Sequence, residues 1–453
     1  MVAPLRNVVA VPALCFLMLC GTPGAASAQS RDSTAAALTS ESPSPALIVE
    51  RIEILGATKT RRHVIHRYLQ LKPGDAVTPE MIDRDYAALT ATHFFKQVDF
   101  SSKPGSEPGK IVLVIEVTER RWPWLEFAGG FSELQGWYLV PAGVRCDNLL
   151  GGGSIAGARL VIGDRTGGFF LHFRQPDLLA SGFDLQFETG SSATDYIHYL
   201  DGRQALHKVR RGAARIALRG SRGWARFFSA GIHFENVRPE AEFEAKNVTR
   251  TDFPPALAAQ LAKEKINTFF ARLQIDTRDD HYFPRAGTWG ALSFERAEAA
   301  LGATRRFNRI VLDGRWYRAL GSSVLALHGK AGRVASAAPF YERFYLGGAY
   351  ALRGFPERGL TPLGWGTALL LAQAEMRFPV AGELHRPGLL GAIFFDAGRI
   401  STTSLPDDAG RFFTSAGFGF RVKVPVIGLL RMDFAYPLDR DDFRFHIALG
   451  QTF

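Results

Sequence analysis

The chain has 453 residues, 46% hydrophobic and 22% charged, a balance ordinary for folded protein that leaves room for two or three domains or one large barrel. No run beyond the N-terminus reaches the roughly 18 apolar residues of a membrane helix, which excludes helical membrane proteins but not β-barrels, whose strands show only alternation. The formal charge of +10 is spread along the chain; behind an export signal it points to anionic lipid and a charged pore and away from nucleic acid.

Residues 1–28 read as that signal. Arg6 supplies a short positive region, Val8 to Leu19 an apolar one, and Ala26-Ser27-Ala28 a small-residue cleavage site. Two of the three cysteines, Cys15 and Cys20, leave with it, so the mature chain keeps only Cys146 and forms no internal disulfide in an oxidising compartment. Stability must then come from a large core or from a membrane. Residues 29–46, rich in Ser, Ala, Thr and Pro without apolar periodicity, read as a disordered leader.

Residues 47–120 are expected to form a small α+β module. Ile52 and Ile54 alternate with Arg51 and Glu53, a strand that Gly56 ends. Val64, Ile65, Tyr68 and Leu69 share a helical face that stops at Lys72-Pro73-Gly74. Thr78 is a candidate N-cap with Pro79 in the first turn of a second helix, which turns Ile82, Tyr86 and Leu89 inward. Strands over Phe95–Ser101 and Lys110–Thr118 follow, joined by a Pro/Gly turn. A module this short has a marginal core and needs a neighbour.

From residue 121 to 453 the texture changes to repeated alternation. Phe183, Leu185 and Phe187 alternate with Asp184, Gln186 and Glu188; Ala271, Leu273 and Ile275 with Arg272, Gln274 and Asp276; Leu430, Met432, Phe434 and Tyr436 with Arg431, Asp433 and Ala435; Phe443, Phe445, Ile447 and Leu449 with Arg444, His446 and Ala448. Successive side chains on a strand point to opposite faces, so each stretch has an apolar and a charged side. Alternation over so long a stretch, with no helical domain to cover it, indicates a transmembrane antiparallel β-barrel of about 16 strands, at roughly twenty residues each with turns. Closure leaves no unpaired edge in lipid. The charged insertion Arg238–Glu264, with a possible short helix over Pro255–Lys263, reads as an extracellular loop.

Several segments resemble the BamA/TamA superfamily of outer-membrane assembly barrels. Ile52-Glu53-Ile54-Leu55-Gly56, Leu71-Lys72-Pro73-Gly74-Asp75 and Phe94-Phe95-Lys96-Gln97-Val98 resemble its periplasmic POTRA module. Asp147-Asn148-Leu149-Leu150-Gly151 is similar to an early Asn-Leu-x-Gly turn, and Asp276 to Asp280 with Phe283 to Gly287 to a central signature. The aromatic run from Phe340 ends in Leu352-Arg353-Gly354-Phe355, similar to the family loop whose tip folds back inside the pore. Ala374 to Pro379 and Phe395-Asp396-Ala397-Gly398 follow in register, and the terminal Phe453 resembles the barrel assembly signal. Leu352 stands where the family often has Val.

By alternation, Glu375 falls with Gln373 and Arg377 on the inward face, and Asp396 falls opposite Phe395. A guanidinium in a barrel lumen needs carboxylates, and bidentate pairing suits arginine. The resemblance implies that Arg353 pairs with Asp396, with Glu375 a second partner, in a structural and regulatory role. It further implies that the POTRA module captures an extended polypeptide client by strand addition, and that a seam between Trp122–Phe131 and Phe443–Phe453 opens to it. Expected partners are an unfolded outer-membrane or secreted polypeptide, outer-membrane lipid with lipopolysaccharide, and periplasmic or lipoprotein components; no cofactor is implied. No Gly-x-Ser-x-Gly, His-Glu-x-x-His or paired-cysteine motif occurs, and His63 and His66 read as solvated, so no enzyme is expected. The alternative is a passive pore or a surface-binding or lipid-handling barrel.

Overall fold

Strand β1 (Ile48–Leu55) runs parallel to β3 (Lys110–Glu119), and β2 (Phe95–Pro104) pairs antiparallel with β3 on its other side. The unbroken apolar run from Ile111 to Ile115 suits a strand with neighbours on both edges, and all five residues are buried. Helices α1 (Arg62–His66) and α2 (Pro79–Ala91) lie between β1 and β2 in the chain. Thr78 is extended, and its hydroxyl accepts the Met81 amide at 3.4 Å, with Pro79 opening the helix. Val64, Ile65, Leu69, Leu71, Leu89, Phe94, Phe95 and Ile115 form the core with Val49 and Ile54. The computed structural model describes residues 47–449 except 121–122, 133–135, 201–202, 223–225, 244–258, 281–282, 384–385, 403–410 and 425–427.

One expectation for α2 fails. Tyr86 is 47% exposed, whereas its neighbour Asp85 is fully buried. The Asp85 carboxylate accepts the amides of Gln70 and Leu71 at 2.8 and 3.1 Å, backbone donors left over where the chain leaves α1. Consecutive helix residues lie about 100° apart, so satisfying those donors swings Tyr86 to the rim, where it meets Phe100 edge-on.

The two edges of this sheet differ. The outer edge of β1 is covered by residues 74–77, through Val49 N to Asp75 O, Gly74 N to Val49 O and Val77 N to Leu47 O. Among the described residues, no strand pairs with the outer edge of β2.

The rest of the chain closes on itself. Its strands are β4 (Trp124–Ser132), β5 (Gly136–Leu149), β6 (Ser154–Gly163), β7 (Thr166–Gln175), β8 (Phe183–Leu200), β9 (Arg203–Arg222), β10 (Arg226–Phe243), β11 (Glu264–Lys265), β12 (Thr268–Asp276), β13 (Gly287–Ala297), β14 (Phe307–Leu320), β15 (Ser323–Val334), β16 (Ala368–Glu383), β17 (Arg386–Ser401), β18 (Phe413–Val424), β19 (Gly428–Pro437) and β20 (Arg444–Leu449). Among the described residues, sixteen long strands and the two-residue β11 make one antiparallel barrel, with β20 beside β4. Leu139, Ile162, Leu218, Leu273, Leu312, Ile393 and Phe418 point outward and exposed, as a lipid-facing belt does, while Gln373, Glu375, Arg377 and Asp396 point inward and buried. No helix is long and apolar enough to cross a membrane among the described residues.

Strands β8, β9 and β10 have 18, 20 and 18 residues, against the roughly 9–11 that span a bilayer. Their far ends therefore stand clear of it. This corrects the insertion: the chain stays in β10 through Arg238 and Pro239, paired with β9, and β10 extends to Phe243. Strands that leave the bilayer no longer need an apolar face, so alternation fades before pairing does. The expected helix over Pro255–Lys263 is represented by the short turn Ala259–Leu261; residues 255–258 lie outside the described residues, as do the expected signal peptide, the leader and Phe453.

Candidate functional site: the lumen loop and its charged seat

The loop between β15 and β16, residues 335–367, packs against the inner wall. Phe340, Leu346, Leu352 and Phe355 are fully buried, and they cluster with wall residues Leu200, Val209, Val237, Phe307, Val334 and Leu369. An aromatic run thus finds inside the barrel the burial that a water-exposed loop would lack. At Gly348, φ is +104°, and a Cβ would stand 1.9 Å from a Glu357 carboxylate oxygen, so only glycine fits the bend that carries the tip inward.

The tip places Arg353 on β16, β17 and β19. Its Nε and Nη2 donate to the two oxygens of Asp396, each at 2.7 Å, and its own amide donates to Asp396 Oδ2 at 3.2 Å. Nη1 donates to Glu375 at 2.8 Å and lies 3.6 Å from Asp433. The guanidinium also covers the Phe394 ring, 3.4 Å from its centroid. All three carboxylates and Arg353 are buried.

Sequence reasoning singled out Arg353, Asp396 and Glu375, and the structure brings these three together. It missed the arginines that share the same carboxylates. Arg421 bonds Glu375 at 3.0 Å and Asp433 at 2.6 Å, Arg377 bonds Glu375 at 2.8 Å, and Arg431 lies 3.4 Å from Asp433. Asp433 alternates with Met432 and Phe434, so its inward direction was legible; its adjacency to a loop some eighty residues earlier was not. Leu352 and Phe355 flank the arginine as packing residues, and Gln373 Nε2 holds the loop carbonyl of Ala351 at 2.8 Å.

The other singled-out segments serve as turns at the barrel end that meets the small module. In the Asn148–Gly151 turn, Asn148 Nδ2 donates to Thr60 Oγ1 at 2.6 Å, and the Arg61 amide donates to Gly151 O at 3.0 Å. Thr60 is in turn held by Glu119, which accepts its amide and hydroxyl at 2.5 Å and the Lys59 amide at 2.9 Å. Burial works against the ionised form of Glu119, but these donors prevail and bring its carboxyl from 4.5 to about 2. In the Asp276–Gly287 segment, Asp279 Oδ1 collects the amides of Asp280, Arg285 and Ala286, while Arg278 pairs with Asp276 at 2.8 Å. His63 and His66 are exposed.

Residues 148–453 match the family model of the Omp85 superfamily domain, and residues 47–120 match that of the POTRA module, a surface antigen variable number repeat. The chain belongs to the Omp85 superfamily. It is 25% identical to the outer membrane protein assembly factor BamA of Nitratidesulfovibrio vulgaris, over 89% of this chain and 51% of that protein. It is also 25% identical to BamA of Neisseria meningitidis, over 91% and 57%. The Omp85 chain thus spans about half the length of these relatives. Its fold matches the crystal structure of Haemophilus ducreyi BamA lacking POTRA domains 1–3 with a TM-score of 0.72 and 19% identity, covering 89% of this chain and 84% of that one. As an Omp85 barrel with one POTRA module, it lies in the outer membrane with the module in the periplasm. The turns at Asn148 and Asp279 are then periplasmic, and the lumen loop enters from the outside.

Proposed function

We propose that this protein inserts polypeptides into the outer membrane or translocates them across it. The observation that carries the reading is the pairing of a POTRA sheet open at the β2 edge with a barrel whose internal loop is seated on the wall next to its terminal strands. An extended client adds to β2, whose outer edge no strand pairs with among the described residues; β1 is unsuitable because residues 74–77 occupy its edge. The client then passes to the junction of β20 and β4 or into the lumen. Arg353, seated on Asp396 and Glu375, pins the loop and so fixes the shape of the wall beside that junction. Family resemblance to BamA supports a polypeptide client; lipid, lipopolysaccharide and lipoprotein partners belong to the same proposal. No catalytic step is part of it.

Quantitative proteomics of outer membrane and culture medium, with and without this gene, tests the reading. Specific loss of one or a few barrel or secreted proteins is the expected result and names the client. Unchanged protein profiles would overturn it.

A further inference from the structure

Beyond its guanidinium, the loop tip reaches the terminal strand through two hydrogen bonds. The Tyr350 hydroxyl donates to the backbone carbonyl of Leu449 at 2.5 Å, and the Gly354 amide donates to His446 Nε2 at 3.0 Å. Both acceptors belong to β20, and His446 is buried on its inward face. Neither donor is loosely held. Gly354 follows Arg353 directly, and the Tyr350 ring lies 4.9 Å from the Arg431 guanidinium, which itself holds the carbonyl of Ala349 at 2.8 Å. The tip is thus a fixed post, anchored by ion pairs to β16, β17 and β19, from which two further bonds cross to the strand that closes the barrel against β4.

We propose that Tyr350 and His446 are positioning residues that couple the lumen loop to β20, so that the terminal strand leaves the wall only as the loop releases it. The inference rests on the reading that the β20–β4 junction passes a client, and it adds which side chains hold that junction shut. A hydrogen bond to a fixed donor holds a strand only in the closed geometry; once β20 swings away, both acceptors go to water or to the client backbone.

Seam width can be read in the full-length protein, reconstituted in bilayers, from pulsed electron–electron distances between spin labels at Leu125 on β4 and Phe445 on β20, both exposed. A Cys146→Ser background removes the remaining thiol of the mature chain. Tyr350→Phe deletes one hydroxyl and keeps the ring; His446→Leu deletes the acceptor, and His446→Gln keeps one. The expected result is a wide-seam fraction raised about tenfold by Tyr350→Phe and by His446→Leu, equivalent to about 1.4 kcal/mol, with His446→Gln close to the parent. Unchanged distances in Tyr350→Phe, whose folding is checked by heat-modifiable migration, overturn the coupling even where His446→Leu does not fold. Client assembly is scored separately. A wider seam keeps the coupling whatever assembly does, and unaltered distances remove it; the insertase reading fails separately, if protein profiles are unchanged when the gene is lost.

Discussion

At the scale of single residues, Arg353 is a fully buried cation with three carboxylates in reach. Its removal differs in kind from the loss of a surface pair. Arg353→Ala leaves Asp396 without its bidentate partner in a site of low dielectric, a defect typically worth about 3–5 kcal/mol. The expected outcome is a lower temperature for loss of the heat-modified barrel band, together with proteolytic access to residues 335–367 from outside. Arg353→Lys keeps the charge but supplies a point donor where Nε and Nη2 now span both oxygens of Asp396. It should fall between parent and alanine on both measures. Equal melting of parent and Arg353→Ala would show that Arg377, Arg421 and Arg431 alone satisfy the cluster.

At the scale of elements, the module meets the Asn148–Gly151 turn of the barrel through backbone and small side chains, beside an ion pair of Arg67 with Asp177 at 3.4 Å. Gly151 has φ of +73°, and a Cβ there would come within 1.9 Å of the Lys59 carbonyl. Gly151→Val should therefore lift the POTRA module off the turn while leaving β5 and β6 paired. Hydrogen exchange at the Arg61 amide, which donates to Gly151, should rise, with exchange across β16–β19 unchanged. The Glu119 knot beside it responds to acid. Its folded pKa, about 2, lies below the ordinary 4.5, so its stabilising contribution is complete above about pH 4.5 and disappears as pH falls through about 2. After correction for intrinsic rates, exchange at Lys59 and Thr60 should accelerate over that window, and Glu119→Gln should flatten the response. Element existence was legible here: the two helices, the Thr78 cap and the order of elements along the chain follow from spacing and turn residues, although α1 ends at His66, before Tyr68, Leu69 and the expected stop at Lys72. The pairing of Asn148 with Thr60 was not, because nothing local to either residue encodes a contact between segments almost ninety positions apart. Asp85 shows the same limit within the module, since its burial serves two amides that periodicity does not register.

At the scale of the whole molecule, the two faces of every barrel strand answer to different solvents. Alternation alone was enough to place Phe395 outward and Asp396 inward, because period-two geometry admits no intermediate. It could not show that residues 335–367 pack against the inner wall, since a loop's hydrophobic partners lie on strands distant in the chain. The physical consequence can be tested on adjacent residues of β12. Leu273 is 59% exposed toward lipid, whereas Gln274 belongs to the inward set with Arg272 and Asp276. An arginine near the bilayer midplane costs about 2–4 kcal/mol on the lipid face of such barrels, while one in a charged lumen is hydrated and screened. Leu273→Arg should therefore lower the unfolding free energy in lipid bilayers by that amount, and Gln274→Arg should stay within about 1 kcal/mol of the parent. Urea titration of both variants in vesicles, followed by tryptophan emission, decides the point. Equal destabilisation would mean that β12 does not present these faces to lipid and lumen, and the barrel would have to be redrawn in register from β10 to β13.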